Sequence, residues 1–241
     1  MVNSHYKTVQ GIQLPARIYP PQVESRFSKT LVLCIHGGGW HAVDKNEDWD
    51  GGWMDYQARY FAQKGFTGAV ISYRSISLST ETTVFDQLED CRDGLAFLAE
   101  QTQYERLILI GDSAGGHLAA MLTLQTPELA DIAVLCNPVT DCTAEKWAYA
   151  AKPDELEKAS PLYSMRKTKT KYLMLHGDAD KVVAWETTQE FYEGMKKQGN
   201  DCTFILLPGV GHAFILKGYL SADSQVAEYM DIIEKYIEQN F

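Results

Sequence analysis

The sequence predicts an α/β fold: a mostly parallel central sheet with helices on both faces, formed as one domain and carrying a minimal cap. Three observations lead there. Short apolar runs alternate with segments of helical spacing along most of the chain, the pattern of right-handed strand, helix, strand crossovers. The runs, such as Leu31-Val32-Leu33-Cys34-Ile35 and Leu107-Ile108-Leu109-Ile110, show no polar alternation and suit strands covered on both sides. The chemically distinctive stretches, Gly37-Gly38-Gly39, Ser113, the Asp178/Asp180 pair and His212, each fall just after such a run. That is the carboxyl edge, where open parallel sheets build their sites. With 241 residues the chain is long for one core and short for two, so a single domain over residues 1–241 is expected.

In order, two extended runs at residues 6–9 and 15–19, joined through Gly11, read as an antiparallel edge hairpin. After a polar connection, residues 30–36 form a buried strand that ends in the triple glycine and Trp40. An acidic, aromatic loop follows to residue 53, its Trp49 and Trp53 placed either to line a cleft or to pin the loop to the body. Residues 56–64 read as a helix stopped by Gly65, and 67–73 as the next strand. Val84, Leu88, Cys91, Leu95 and Leu98 keep helical spacing up to the strand that precedes Ser113. Beyond the serine come a strand at 132–136 and a strand-poor segment at 139–170, suited to a small cover above the carboxyl edge. A strand at 171–176, a helix at 187–198, a strand at 201–207 and a helix at about 222–239 complete the chain; Val226, Met230, Ile233 and Ile237 share one stripe of the last.

Composition narrows the classes of function. A net charge of −10 argues against a nucleic-acid or anionic-membrane partner. No run approaches transmembrane length, and Met1 to Lys7 lacks the basic start of a secretory signal, so a cytoplasmic setting is expected. The five scattered cysteines suit reduced, buried thiols. No spacing of Cys or His resembles a zinc site, and neither a metal nor a cofactor is expected.

The chemistry centres on Gly111-Asp112-Ser113-Ala114-Gly115-Gly116, set between an apolar strand and a helix that opens with small residues. This is the sequence form of a nucleophile elbow, in which glycines clear space around a serine held in a strained turn. A serine hydroxyl needs a base to take its proton during attack. His212, in a glycine-rich loop after the last strand, is the best candidate. His36 is read as ordering the glycine loop, His117 lies within the helix after Ser113, and His5, His41 and His176 show no matching geometry. Asp180, preferred to Asp178 because it lies further past the strand end, is read as the carboxylate that orients the imidazole. The amides of Ala114, Gly38 and Gly39 are candidate donors for an oxyanion. Trp40, Val183 and Trp185 are candidates to line the substrate site.

Together His36-Gly37-Gly38-Gly39-Trp40, Gly111-Asp112-Ser113-Ala114-Gly115-Gly116, Ser160-Pro161-Leu162-Tyr163, His176-Gly177-Asp178-Ala179-Asp180-Lys181-Val182-Val183 and Gly211-His212 resemble the α/β-hydrolase carboxylesterases of the hormone-sensitive-lipase and BD-FAE-like (acetyl-xylan or feruloyl esterase-like) groups. The resemblance covers the chain from residue 30 onward. It implies an α/β-hydrolase fold, a triad of Ser113, Asp180 and His212, and an oxyanion hole from Gly38, Gly39 and Ala114. Residues 1–29 are too few for the N-terminal helical cap of lipase-like members, so an open site and small, short-acyl esters are expected. The expected partner is a small-molecule ester; monomer and homodimer stay open. An arylformamidase-like amide hydrolase, suggested by His-Gly-Gly-x-Trp, and a noncatalytic binding protein of the same fold are the alternatives.

Overall fold

The computed structural model describes residues 1–41, 54–79, 81–219 and 221–241; Trp49 and Trp53 lie outside them. Its centre is an eight-stranded sheet in the order β1-β2-β4-β3-β5-β6-β7-β8, with β1 Val2–Val9, β2 Ile12–Tyr19, β3 Thr30–Ile35, β4 Thr67–Ile71, β5 Arg106–Asp112, β6 Ile132–Cys136, β7 Lys171–Gly177 and β8 Cys202–Leu207. The pairs β1 with β2 and β2 with β4 are antiparallel, and every other pair is parallel. The hairpin is longer than its apolar residues suggested, because polar residues of β1 pair along an exposed edge while β2 lies inside against β4.

The apolar runs are buried on both faces. Leu31, Leu33, Ile35, Leu107 and Leu109 point into one core, shared with α2 (Val84–Thr102), α3 (Ala114–Gln125) and α4 (Trp185–Lys197). Their neighbours Val32, Cys34, Ile108 and Ile110 point into the other, closed by α1 (Asp55–Gln63) and α5 (Asp223–Asn240). Strands β3 and β5 therefore each serve two cores, which is why neither face alternates with polar residues. All five cysteines are buried and free. Among the described residues no helix is long and apolar enough to cross a membrane.

From β3 the chain moves to β4 on one side and then returns to β5 on the other. This reversal opens a crevice between the carboxyl ends of β3 and β5, where Ile35 pairs with Gly111. The segment at 139–170 contains only short 3₁₀ turns, at Glu145–Trp147, Pro153–Glu155 and Pro161–Tyr163. It reaches two loops at the carboxyl edge, because Tyr149 Oη donates to Gly39 O at 3.4 Å and Lys146 Nζ to Val182 O at 2.8 Å.

Candidate active site

Ser113 is the single residue between β5 and α3, and its backbone sits at φ 53° and ψ −116°. A non-glycine residue there is strained and persists only where its surroundings over-determine it. They do: a Cβ on Gly115 would lie 2.0 Å from the Ile35 carbonyl, so the start of α3 presses directly on the end of β3. The turn leaves the serine oxygen at the crevice, within reach of another loop.

That loop brings His212. Its Nε2 lies 3.0 Å from Ser113 Oγ, and its Nδ1 lies 2.7 Å from Asp180 Oδ2. A serine hydroxyl can only donate to an unprotonated Nε2, so Nδ1 carries the hydrogen toward the carboxylate. Burial of Asp180 by itself raises its pKa. Hydrogen bonds from His176, from His212 and from the Val183 N–H outweigh burial and hold the carboxyl well below the usual carboxylate range. Asp178 points elsewhere, accepting the Gly209 N–H at 2.6 Å.

The glycine loop starts beside the serine, since a Cβ on Gly37 would lie 3.1 Å from Ser113 Cβ. Gly38 and Gly39 adopt φ 92° and 61°, a region that frees their amides from strand pairing. Among the described residues neither amide has a backbone acceptor. Ala114 opens α3, so its N–H is one of the helix's unpaired first-turn donors. Trp40 holds the loop from behind: Nε1 donates to His117 Nδ1 at 3.1 Å, and its carbonyl accepts from Gln87 Nε2 at 2.7 Å and Ile76 N–H at 3.0 Å. Burial pushes the His117 pKa down to about 4, which keeps the ring neutral as that acceptor. His36, with its pKa also pushed down to about 4 by burial, stacks on Tyr73 at 4.3 Å.

The family model BD-FAE matches residues 17–143, and the model Serine hydrolase (FSH1) matches residues 81–214. The chain belongs to the serine hydrolases of α/β-hydrolase fold. A solved thermophilic esterase from the planctomycete Thermogutta terrifontis, Est2 with propionate bound, aligns at a TM-score of 0.82 and 25% identity over 99% of this chain and 93% of that one. The ethyl acetate hydrolase of Pseudomonas putida is 25% identical over 95% of this chain and 81% of its own length. A non-reducing polyketide synthase of Preussia isomera, Preu6, is 33% identical over 48% of this chain; the match spans 6% of that much longer protein.

In this serine hydrolase the expected substrate-lining residues divide. Trp40 and Val183 are buried, with relative exposures of 0% and 2%. Trp40 braces the glycine loop, and Val183 supplies an N–H to Asp180 Oδ1 at 3.0 Å. Trp185 opens α4 and is half-buried. Among the described residues, an exposed aromatic beside the glycine loop is Tyr149, stacked on His41 with ring centres 5.5 Å apart. Three further residues escape a reading by motif. Asn137, in left-handed conformation at φ 37°, donates to Asp112 Oδ1 at 3.1 Å and accepts the Ala213 N–H at 3.1 Å, tying the serine strand to the histidine loop. His176 Nε2 lies 3.1 Å from Asp180 Oδ2. Their signals were present: an Asn before a Pro at a strand's end, an Asp next to the serine, and a His four residues before the acid. Among the described residues no group of three or more His, Cys, Asp or Glu could hold a metal ion.

Proposed function

We propose that the protein hydrolyses small carboxylic esters with short acyl groups, through an acyl-enzyme on Ser113. The observation that carries this reading is the unbroken line from Asp180 to His212 to Ser113, at 2.7 and 3.0 Å. Ser113 Oγ attacks the ester carbonyl carbon while its proton passes to His212 Nε2. The negative oxygen of the tetrahedral intermediate is held by the amides of Gly38, Gly39 and Ala114. As the intermediate collapses, the alkoxide leaves with the proton from His212 and the acyl group stays on Ser113. Water then attacks the acyl carbon, His212 takes its proton and returns it to Ser113 Oγ, and the carboxylic acid departs. Asp180 stays ionised throughout and stabilises the imidazolium.

Short acyl chains are favoured by the names of two similar proteins, one solved with propionate and one acting on ethyl acetate. Among the described residues the cover at 139–170 is built of short 3₁₀ turns and contains no longer helix. The test combines fluorophosphonate labelling with hydrolysis of p-nitrophenyl acetate, propionate, butyrate and octanoate, and of 4-nitroacetanilide. Labelling at Ser113 and turnover that falls from propionate to octanoate is the expected result. Labelling without ester turnover, or faster cleavage of the anilide, overturns ester hydrolysis; no labelling overturns the acyl-enzyme.

A further inference from the structure

We propose that His176 is a positioning residue of this site: its Nε2–H, held in that tautomer by Thr188, shares the Asp180 carboxylate with His212 and limits how strongly that carboxylate holds the imidazole facing Ser113. The inference rests on the triad reading above and deepens it.

The carboxylate of Asp180 is fully occupied. Oδ1 accepts the N–H groups of Val182 at 2.8 Å and Val183 at 3.0 Å, while Oδ2 meets His212 Nδ1 at 2.7 Å and His176 Nε2 at 3.1 Å. Two oxygens offer about four acceptor positions, so none is left over. The His176 side chain, near the end of β7, has no exposed surface. Its Nε2 faces two acceptors, Asp180 Oδ2 and the Val183 carbonyl, each at 3.1 Å, and neither can donate. Nε2 therefore carries a hydrogen. On the far side of the ring Nδ1 lies 2.9 Å from Thr188 Oγ1, whose hydroxyl is free to donate to it. The contacts on both sides agree on one neutral tautomer.

A second donor on Oδ2 draws on the same negative charge that His212 uses. Without it, the two backbone amides on Oδ1 still keep the carboxylate in place, and His212 then faces a less satisfied anion. Such an anion favours the imidazolium, which cannot act as base. Among the described residues, Asp112 at the end of β5 also acts on His212, by its charge through space. Asp178, on the Asp180 loop, is bonded to Gly209 N–H, and Ser113 faces the opposite ring nitrogen. His176 is thus the group that meets the base's acceptor from the core side.

The experiment is the pH profile of kcat/KM for p-nitrophenyl propionate in the full chain and in His176→Phe, His176→Gln and Thr188→Val. Phenylalanine fills the space without a donor and should move the acid limb upward by about half a pH unit. Glutamine presents an amide N–H in place of Nε2 and should return the limb to its original position. Valine removes the hydroxyl that selects the tautomer and should move the limb the same way by less. An unmoved limb in His176→Phe, or an equal shift in His176→Gln, overturns the proposal. If His176→Phe does not fold, an unmoved limb in Thr188→Val does so instead. Ser113→Ala and His212→Ala run in parallel: activity surviving either sinks the triad reading itself, whereas their inactivity with an unmoved limb sinks only the role of His176.

Discussion

Asp112 and Asp180 are two buried carboxylates beside one imidazole, and their surroundings push them in opposite directions. Burial raises the Asp112 pKa to about 6, against lowering by nearby His212 and by the bond from Asn137. With a folded value above the unfolded 3.8, the native state binds the extra proton between about pH 4 and 6, so Asp112 makes stability fall as pH rises through that window. Asp112→Asn keeps an acceptor for Asn137 and removes the buried charge. It should gain about 1–3 kcal/mol at pH 7 and nothing near pH 4, read by thermal unfolding at both values. Asp180 carries the opposite sign: its folded value is depressed, so its contribution is present above the ordinary carboxylate range and lost as pH falls below it. Asp180→Asn turns an amide N–H toward His212, reverses the imidazole tautomer and should cut kcat by about 10⁴-fold. Asp178→Asn keeps an oxygen for Gly209 N–H and should leave kcat within about twofold, since its contact fixes a turn and not the base. The two Asp variants compared on p-nitrophenyl acetate decide the assignment.

At the scale of elements, the glycine loop is held from α2, a helix that does not touch the crevice by sequence position. Gln87 Nε2 donates to the carbonyls of both Trp40 and Arg74 at 2.7 Å, while its Oε1 has no partner among the described residues. Gln87→Leu removes two hydrogen bonds and one unsatisfied acceptor together, so its cost to stability is partly offset. The loop, however, loses a tether just beyond Gly39. We expect kcat to fall about tenfold with KM nearly unchanged, because a misplaced oxyanion donor is felt mainly in the transition state. Steady-state kinetics check this, and a rise in KM alone would place the loop in substrate binding instead. Gln87 also shows where sequence reading stopped. The buried strands and the serine turn were legible because burial on both faces and the glycines around Ser113 leave local patterns. The tether was not, since a glutamine on a helix resembles any solvated polar residue until 47 residues of separation are closed in space. The bracing role of Trp40 was hidden for a related reason: an aromatic beside a glycine loop reads as a cleft wall, and only the placement of His117 in space shows what its indole N–H holds.

Across the whole molecule, the order of strands was legible in part. Alternation of strand and helix implied parallel crossovers, but which way the chain turned after β3 depends on pairings that no local pattern encodes. The fold also separates the site from its remote edge. Strand β1 stands four positions from β5 in the sheet order and is fastened to α2 by charge. Lys7 Nζ lies 2.8 Å from Asp90 Oδ1 and 2.6 Å from Asp93 Oδ2, and Asp90 is also held by Arg74 at 2.7 Å. Desolvation opposes the lysine charge, yet the bonds to Asp90 and Asp93 outweigh it and raise its pKa, so the contribution is complete at neutral pH and is lost only as pH rises past the lysine range. Because Arg74 stays on Asp90, Lys7→Met leaves no isolated buried charge and should cost about 1–2 kcal/mol, or roughly 2–8 °C in Tm. That loss should be constant from pH 6 to 9, with kcat/KM for p-nitrophenyl acetate unchanged below the melting transition. An equal fall in activity at 25 °C would mean that the hairpin and the crevice are coupled through Asp90, Arg74 and Gln87, and that the glycine loop depends on an edge strand four positions from β5.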